Sequence, residues 1–169
     1  NRHAGNGNAE KAWSSIKPVL DQQQIDYHME TTKYPNHGEY LASQIAQSHN
    51  AGSTIVIAIG GDGTLHQVVN GLMKTAKRLN KEPLAVGYIP AGTGNDFARG
   101  YGISMHPQRA LNQILTADAP QKINIGHYHE AIRGEEGYFL NNLGIGFDAA
   151  IVSRANTFKA HHKKNHIGR

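Results

Sequence analysis

The sequence contains no cysteine, which excludes disulfides, zinc–thiolate sites and thiol catalysis. It has no apolar run near the ~18–20 residues that a membrane-spanning helix needs. It opens Asn1-Arg2-His3, without an initiator Met or a charged-then-apolar signal segment, and reads as cut at that end. Aromatic residues are few, at 7%, and no basic stretch interleaved with aromatics suggests nucleic-acid readout. The 38% apolar fraction with 18% mixed charge still suffices for a packed core and excludes a chain that is disordered as a whole. At 169 residues the chain is one domain, or one domain and a piece of another. Its net charge of +4 is compatible with anionic partners such as nucleotide, acidic lipid or nucleic acid, and selects none of them.

What is present in quantity is glycine, 19 residues, and the glycines are clustered. Around them the chain alternates strands with helices. Ala9, Ala12, Trp13, Ile16, Val19 and Leu20 keep helical spacing, with Pro18 expected to kink or end that helix. Ile25 to Thr31 alternates like a half-buried strand, and His37 to His49 is amphipathic. Thr54 to Ile59 is a continuous β-branched run suited to a central parallel strand buried on both faces. Helical spacing from Leu65 to Leu79, a second buried strand at Leu84 to Ile89, and a helix opening at Pro107 follow. This order predicts an α/β fold: a parallel sheet with helices on both faces. After Pro120, Gln121 to Tyr128 and Tyr138 to Asn142 read as an antiparallel hairpin around the turn-rich 133–137, the start of a β-rich second domain. Asp148 to Phe158 could form a short helix, before a basic, poorly ordered tail from Lys159 to Arg169.

Each buried strand runs into a glycine loop. Gly60-Gly61-Asp62-Gly63-Thr64 sits between a strand and a helix, where glycine permits positive φ and close backbone approach. Helix amides and the positive dipole end make such a loop a phosphate site, and Thr64 can add a hydroxyl or cap the helix. Asp62 beside a phosphate would be repelled unless a cation such as magnesium intervenes. Gly92-Thr93-Gly94-Asn95-Asp96 repeats this logic, with Asn95 and Asp96 alternatively capping a short Phe97–Arg99 turn. Adjacent parallel strands bring their carboxyl ends together, so both loops are expected to converge on one nucleotide–metal complex. Ala4-Gly5-Asn6-Gly7 would be a third contributor. No GxxxxGK(S/T) occurs, which excludes a P-loop protein, and no GxGxxG opens a helix after a strand.

GGDGTLHQVVNGL (Gly60 to Leu72) followed by IPAGTGNDFARG (Ile89 to Gly100) resembles the catalytic-domain signature of the diacylglycerol kinase family. The nearest likeness is to the soluble bacterial lipid kinases, which also resemble sphingosine and ceramide kinases. NRHAGNG resembles that family's first loop, with Arg2 in place of a Pro. The resemblance implies ATP- and magnesium-dependent transfer of the γ-phosphoryl group to a lipid hydroxyl, such as that of diacylglycerol. It implies a cytoplasmic protein peripheral to the membrane, and leaves a homodimer open. By position, Asn1, Arg2, His3, Ala4 and Gly5 would lie along the nucleotide, and Thr31 would contact it. Gly61, Asp62, Gly63, Thr64, Leu65, His66 and Gln67 would hold ATP phosphates, joined by Thr93 and Asn95, while Asp62 and Asp96 would serve magnesium. The implied domains are 1–120, a nucleotide-binding kinase domain lacking its first strand, and 121–169, the beginning of a truncated β-sandwich. The general base would lie beyond residue 169, so the fragment alone is expected to be inactive.

Besides Arg2, two positions depart from the family pattern: Asn124 stands where Asp is typical and Gln67 where Glu is common, each removing a negative charge. They keep open a non-catalytic nucleotide-binding module; a kinase of another acceptor, such as NAD, is the other alternative, against which PAGTGNDFAR speaks. The eleven histidines, including His127 and His129 on one strand face and His161, His162 and His166 in the tail, read as solvated surface residues. His66 reads as a ligand neighbour or helix-surface residue. Gly144 to Asp148 resembles a domain-junction motif. Arg154, Lys159, Lys163, Lys164 and Arg169 read as a solvated run, with an anionic lipid surface as the other reading.

Overall fold

The computed structural model of the chain describes residues 7–132 and 134–141. The expectations placed on Asn1 to Gly5, on Gly144 to Asp148, on a helix over 148–158 and on the basic tail lie outside these residues.

Helix α1 (Asn8–Gln22) buries Ala9, Ala12, Ile16 and Leu20, one stripe at helical spacing. Pro18 does not end it: the helix runs on to Gln22, and in its last turn the Asp21 carboxylate lies 2.6 Å from Lys17 Nζ within the helix and 2.8 Å from Tyr27 Oη beyond it. Helix α2 (His37–Ser48), strand β1 (Ile55–Gly60), helix α3 (Asp62–Leu79) and strand β2 (Ala85–Pro90) follow. The two strands pair in parallel, from Ile55 opposite Ala85 to Gly60 opposite Pro90. Strand alternation then divides the core in two. Ala58 and Tyr88 join α2 and α3, whereas Ile57, Ile59 and Ile89 join α1 and helix α5 (Pro107–Leu115). Helices therefore cover both faces of a parallel sheet, as the alternation of elements implied. Between β2 and α5 lies the short helix α4 (Asp96–Gly100).

Three expectations need correction. Residues 25–33 carry no ladder; Tyr27 and Met29 are half-buried between exposed Asp26, His28 and Glu30, but Ile25, expected on the same inward side, is exposed. Alternation reports which side faces the core, here Tyr27 edge-on to Trp13 at 5.5 Å, and says nothing of a partner strand. Strand β1 is not buried throughout: Ile55 is 51% exposed, and burial increases toward Gly60. The hairpin is shifted. Strand β3 is Gly126–Glu130 and β4 is Glu135–Phe139, paired antiparallel with Gly126 opposite Phe139. Gly134, at φ +66, makes the turn, whereas Glu135 to Gly137 are strand residues and Glu136 pairs with Lys77 at 2.9 Å. Residues 121–125 have no ladder, although Ile123 and Ile125 pack on the first core.

Candidate functional site

The site forms where β1 and β2 end. The amides of Thr64 and Leu65 both donate to Gly61 O, at 2.9 and 3.1 Å, which starts α3 directly at the strand's end. The amides of Asp62 and Gly63, first in the helix, have no intrahelical acceptor and lie at its positive end. No side chain caps α3. Thr64 instead folds its side chain over Gly60, where a β-carbon would collide with it.

The second loop docks on the first. Ala91 N donates to Gly60 O at 2.7 Å, and a β-carbon on Gly92 would sit 2.5 Å from Gly61 Cα. Among the described residues, positive φ occurs at none of Gly60, Gly61, Gly63, Gly92 or Gly94. Gly60, Gly61, Gly92 and Gly94 serve close approach rather than a left-handed backbone, whereas a β-carbon at Gly63 would meet nothing within 4 Å.

Asp62 joins the loops. Its Oδ2 accepts from Asp96 N at 3.0 Å and its Oδ1 from Phe97 N at 3.2 Å, so it caps α4 rather than its own helix. Asp96 pairs with Arg99, which also donates to Gly94 O. Both carboxylates border Gly94: a β-carbon there would lie 3.2 Å from Asp62 Oδ2 and 3.9 Å from Asp96 Oδ2. Asn95 faces inward, only 7% exposed, and braces the loop. Its Oδ1 accepts from Gly92 N at 3.0 Å and Tyr88 Oη at 3.2 Å, and its Nδ2 donates to Gly92 O at 2.8 Å. Burial, and then the charge of Asp62, push the Tyr88 phenol well above its ordinary value, so it remains a hydrogen-bond donor.

The predicted residues thus separate by place. Gly61, Asp62, Gly63, Thr93 and Asp96 surround the junction, with Gly63, Thr93 and Asp96 exposed. His66 is exposed one turn along α3. Leu65 is 2% exposed and belongs to the core. Gln67 turns to α2, accepting from Gly38 N at 3.2 Å. Thr31 is half-buried in the segment leading to α2.

The donor set suits a hydrated magnesium ion. Each Asp62 oxygen accepts one amide and keeps a further lone pair, and Asp96 Oδ2 lies beside the same glycine. Magnesium characteristically takes one or two carboxylates together with waters and substrate phosphates. Among the described residues no group of three or more His, Asp or Glu forms a closed metal cage.

A family model, the diacylglycerol kinase catalytic domain, matches residues 1–128. The chain belongs to the diacylglycerol kinase catalytic-domain family. It is 32% identical over 161 residues to "Putative lipid kinase YtlR" of Bacillus subtilis (strain 168), covering 94% of this chain and 50% of that one. It is 26% identical over 152 residues to "Sphingoid long chain base kinase 4" of Schizosaccharomyces pombe, covering 89% of this chain and 32% of that one. The solved structure "A putative diacylglycerol kinase from Bacillus anthracis str. Sterne" matches with a TM-score of 0.54 at 29% identity, over 68% of this chain and 38% of that one. The chain spans about half the length, or less, of the curated relatives it matches. In the described residues no helix is long and apolar enough to cross a membrane.

Three residues are not singled out by the sequence pattern: Tyr88, Arg99 and Asn70, whose side chain holds the main chain of Tyr138. Arg99 carried a signal, since it lies three residues after Asp96 on one helix face. Asn70 carried a fainter one, a short amide set among apolar helix positions. Tyr88 carried none, because a tyrosine in a buried strand reads as core.

Proposed function

We propose that the chain supplies the nucleotide-binding half of an ATP- and magnesium-dependent lipid kinase, which transfers the γ-phosphoryl group to a lipid hydroxyl such as that of diacylglycerol. The observation that carries this reading is Asp62 spanning the two glycine loops, which makes one site of two strand ends. The first-turn amides of α3 and the backbone around Gly92 to Gly94 would bind phosphates, and the hydroxyls of Thr93 and Thr64 lie in the same loops. Leu65, Gln67 and Asn95 support the site: one anchors the helix, one holds α2, one braces the second loop. Magnesium, held through Asp62 and Asp96, would neutralise phosphate charge as the acceptor approaches. Asp62 thereby has two tasks, capping α4 and facing the cation, which its two oxygens can perform together. The domain division near Pro120 and a membrane-peripheral location belong to the same proposal.

The test is transfer from radiolabelled ATP by the full natural chain that carries this sequence, offered diacylglycerol, sphingoid base, total lipid and NAD. A labelled lipid that disappears with Asp62→Ala supports the reading. Labelled NAD without labelled lipid refutes the acceptor, and full lipid transfer by Asp62→Ala refutes the site.

A further inference from the structure

Asn70 is 2% exposed in the middle of α3, where a short amide lowers helix propensity and competes with the backbone. Its side chain grips the main chain of β4 at both ends. Nδ2 donates to Tyr138 O at 2.8 Å, and Oδ1 accepts from Tyr138 N at 2.9 Å. Nδ2 also lies 3.0 Å from His66 O, one turn nearer the glycine loop. Tyr138 therefore has its backbone donor and acceptor both turned to α3, as if the side-chain amide were a neighbouring strand. Such a two-point contact fixes sliding and rotation together. The other polar tie between these elements, Lys77 to Glu136 at 2.9 Å, is solvent-exposed and correspondingly weak.

We propose that Asn70 is a positioning residue for phosphoryl transfer, holding the β3–β4 hairpin in register with the helix that presents the phosphate loop. This rests on the kinase reading above. Asp62 and Asn70 stand eight residues apart on one helix, roughly 12 Å of rigid rod. Strand β4 is thereby held against the same helix whose first turn opens at the glycine loop. Removing the amide leaves a partly buried N–H and C=O of Tyr138 without this partner, which favours departure of β4 from α3. Nucleotide binding, proposed at the N-terminal end of α3 about two turns away, should be spared.

The experiment compares wild type, Asn70→Ala, Asn70→Asp and Lys77→Ala in the full natural chain. It reads hydrogen exchange at the Tyr138 amide, the KM for ATP, and kcat for transfer to diacylglycerol in mixed micelles. Asn70→Ala should speed Tyr138 exchange and lower kcat, each by about tenfold or more, with the KM for ATP within about twofold. Asn70→Asp retains the acceptor for Tyr138 N but sets a carboxylate against Tyr138 O, so exchange rises less while kcat falls similarly. Lys77→Ala should leave kcat and KM within about twofold of wild type. Unchanged kcat in a folded Asn70 variant, or an ATP KM that rises in step with the loss of kcat, overturns the proposal. If Asn70→Ala does not fold, Asn70→Asp is judged by the same criteria. A wild type that labels no acceptor defeats the kinase reading on its own account; unchanged Tyr138 exchange in the variants defeats the clamp.

Discussion

Gly92→Ala places a methyl group 2.5 Å from Gly61 Cα and 3.0 Å from Asn95 Oδ1. Carbon atoms pack best at about 3.5–4.0 Å, so the two loops must part by roughly 1 Å. Forcing a methyl group into so tight a contact costs about 1–3 kcal/mol. Parting the loops also stretches the 2.7 Å bond from Ala91 to Gly60 and the Asn95 brace. Such bonds contribute about 0.5–1.5 kcal/mol each, and a total loss of about 2–6 kcal/mol is expected. Affinity for magnesium–ATP should fall at least about tenfold, because the amides of one loop no longer face the other. Gly63→Ala is the matched comparison, since a β-carbon there meets nothing within 4 Å. Within a helix, Ala is favoured over Gly by about 0.5–1 kcal/mol, so stability should hold or rise. Urea melts and titration calorimetry on both variants decide the matter. Gly92→Ala within about 0.5 kcal/mol of wild type, with unaltered ATP affinity, would refute the reasoning.

Further outcomes follow from the packing. Gly71→Ala sets a methyl group against Glu39 O and 2.8 Å from Ala42 Cβ, so α2 must lift from α3; a loss of about 1–3 kcal/mol in urea melts is expected. Tyr88→Phe removes one donor to Asn95 and should cost about 0.5–1.5 kcal/mol at neutral pH. The Tyr88 phenol is held above its ordinary value of about 10, so its contribution is full below that pH and is lost as pH rises through the higher folded value. Tyr88→Phe should flatten that alkaline decline in stability. Lys77, beside Glu136, holds the glutamate carboxyl below its ordinary value. The pair's support for hairpin docking is therefore full above the ordinary carboxylate range and is lost as pH falls through the lowered folded value. Exchange of β3–β4 amides should speed over that acid range in wild type and much less in Glu136→Gln.

The parts legible in the sequence are those written locally. Thr54 to Ile59 announces a strand by β-branched continuity and Leu84 to Ile89 by a short apolar run, and the residues after each announce a turn into a helix. Parallel pairing then followed from topology, and with it the meeting of the loops. What escaped depends on distant partners. Tyr27 and Met29 alternate as strand residues do, yet a ladder needs a neighbour that alternation cannot supply. Glu135 and Glu136 look like turn residues until Lys77, 59 residues away, accounts for one of them. Asp62 stands out in the sequence as a carboxylate among glycines, but its partners lie at Asp96 and Phe97, beyond any local capping rule. Asn95 looked like a ligand group because nothing nearby revealed that it folds inward onto Gly92 and Tyr88.

The central claim is that the two glycine loops form one nucleotide site joined by Asp62. Backbone amide resonances recorded with and without magnesium–ATP, in wild type and Asp62→Ala, test it most directly. Asp62 to Thr64 and Thr93 to Gly94 should shift together in wild type, with both sets lost in the variant. Shifts confined to one loop, or unchanged in Asp62→Ala, would contradict the account.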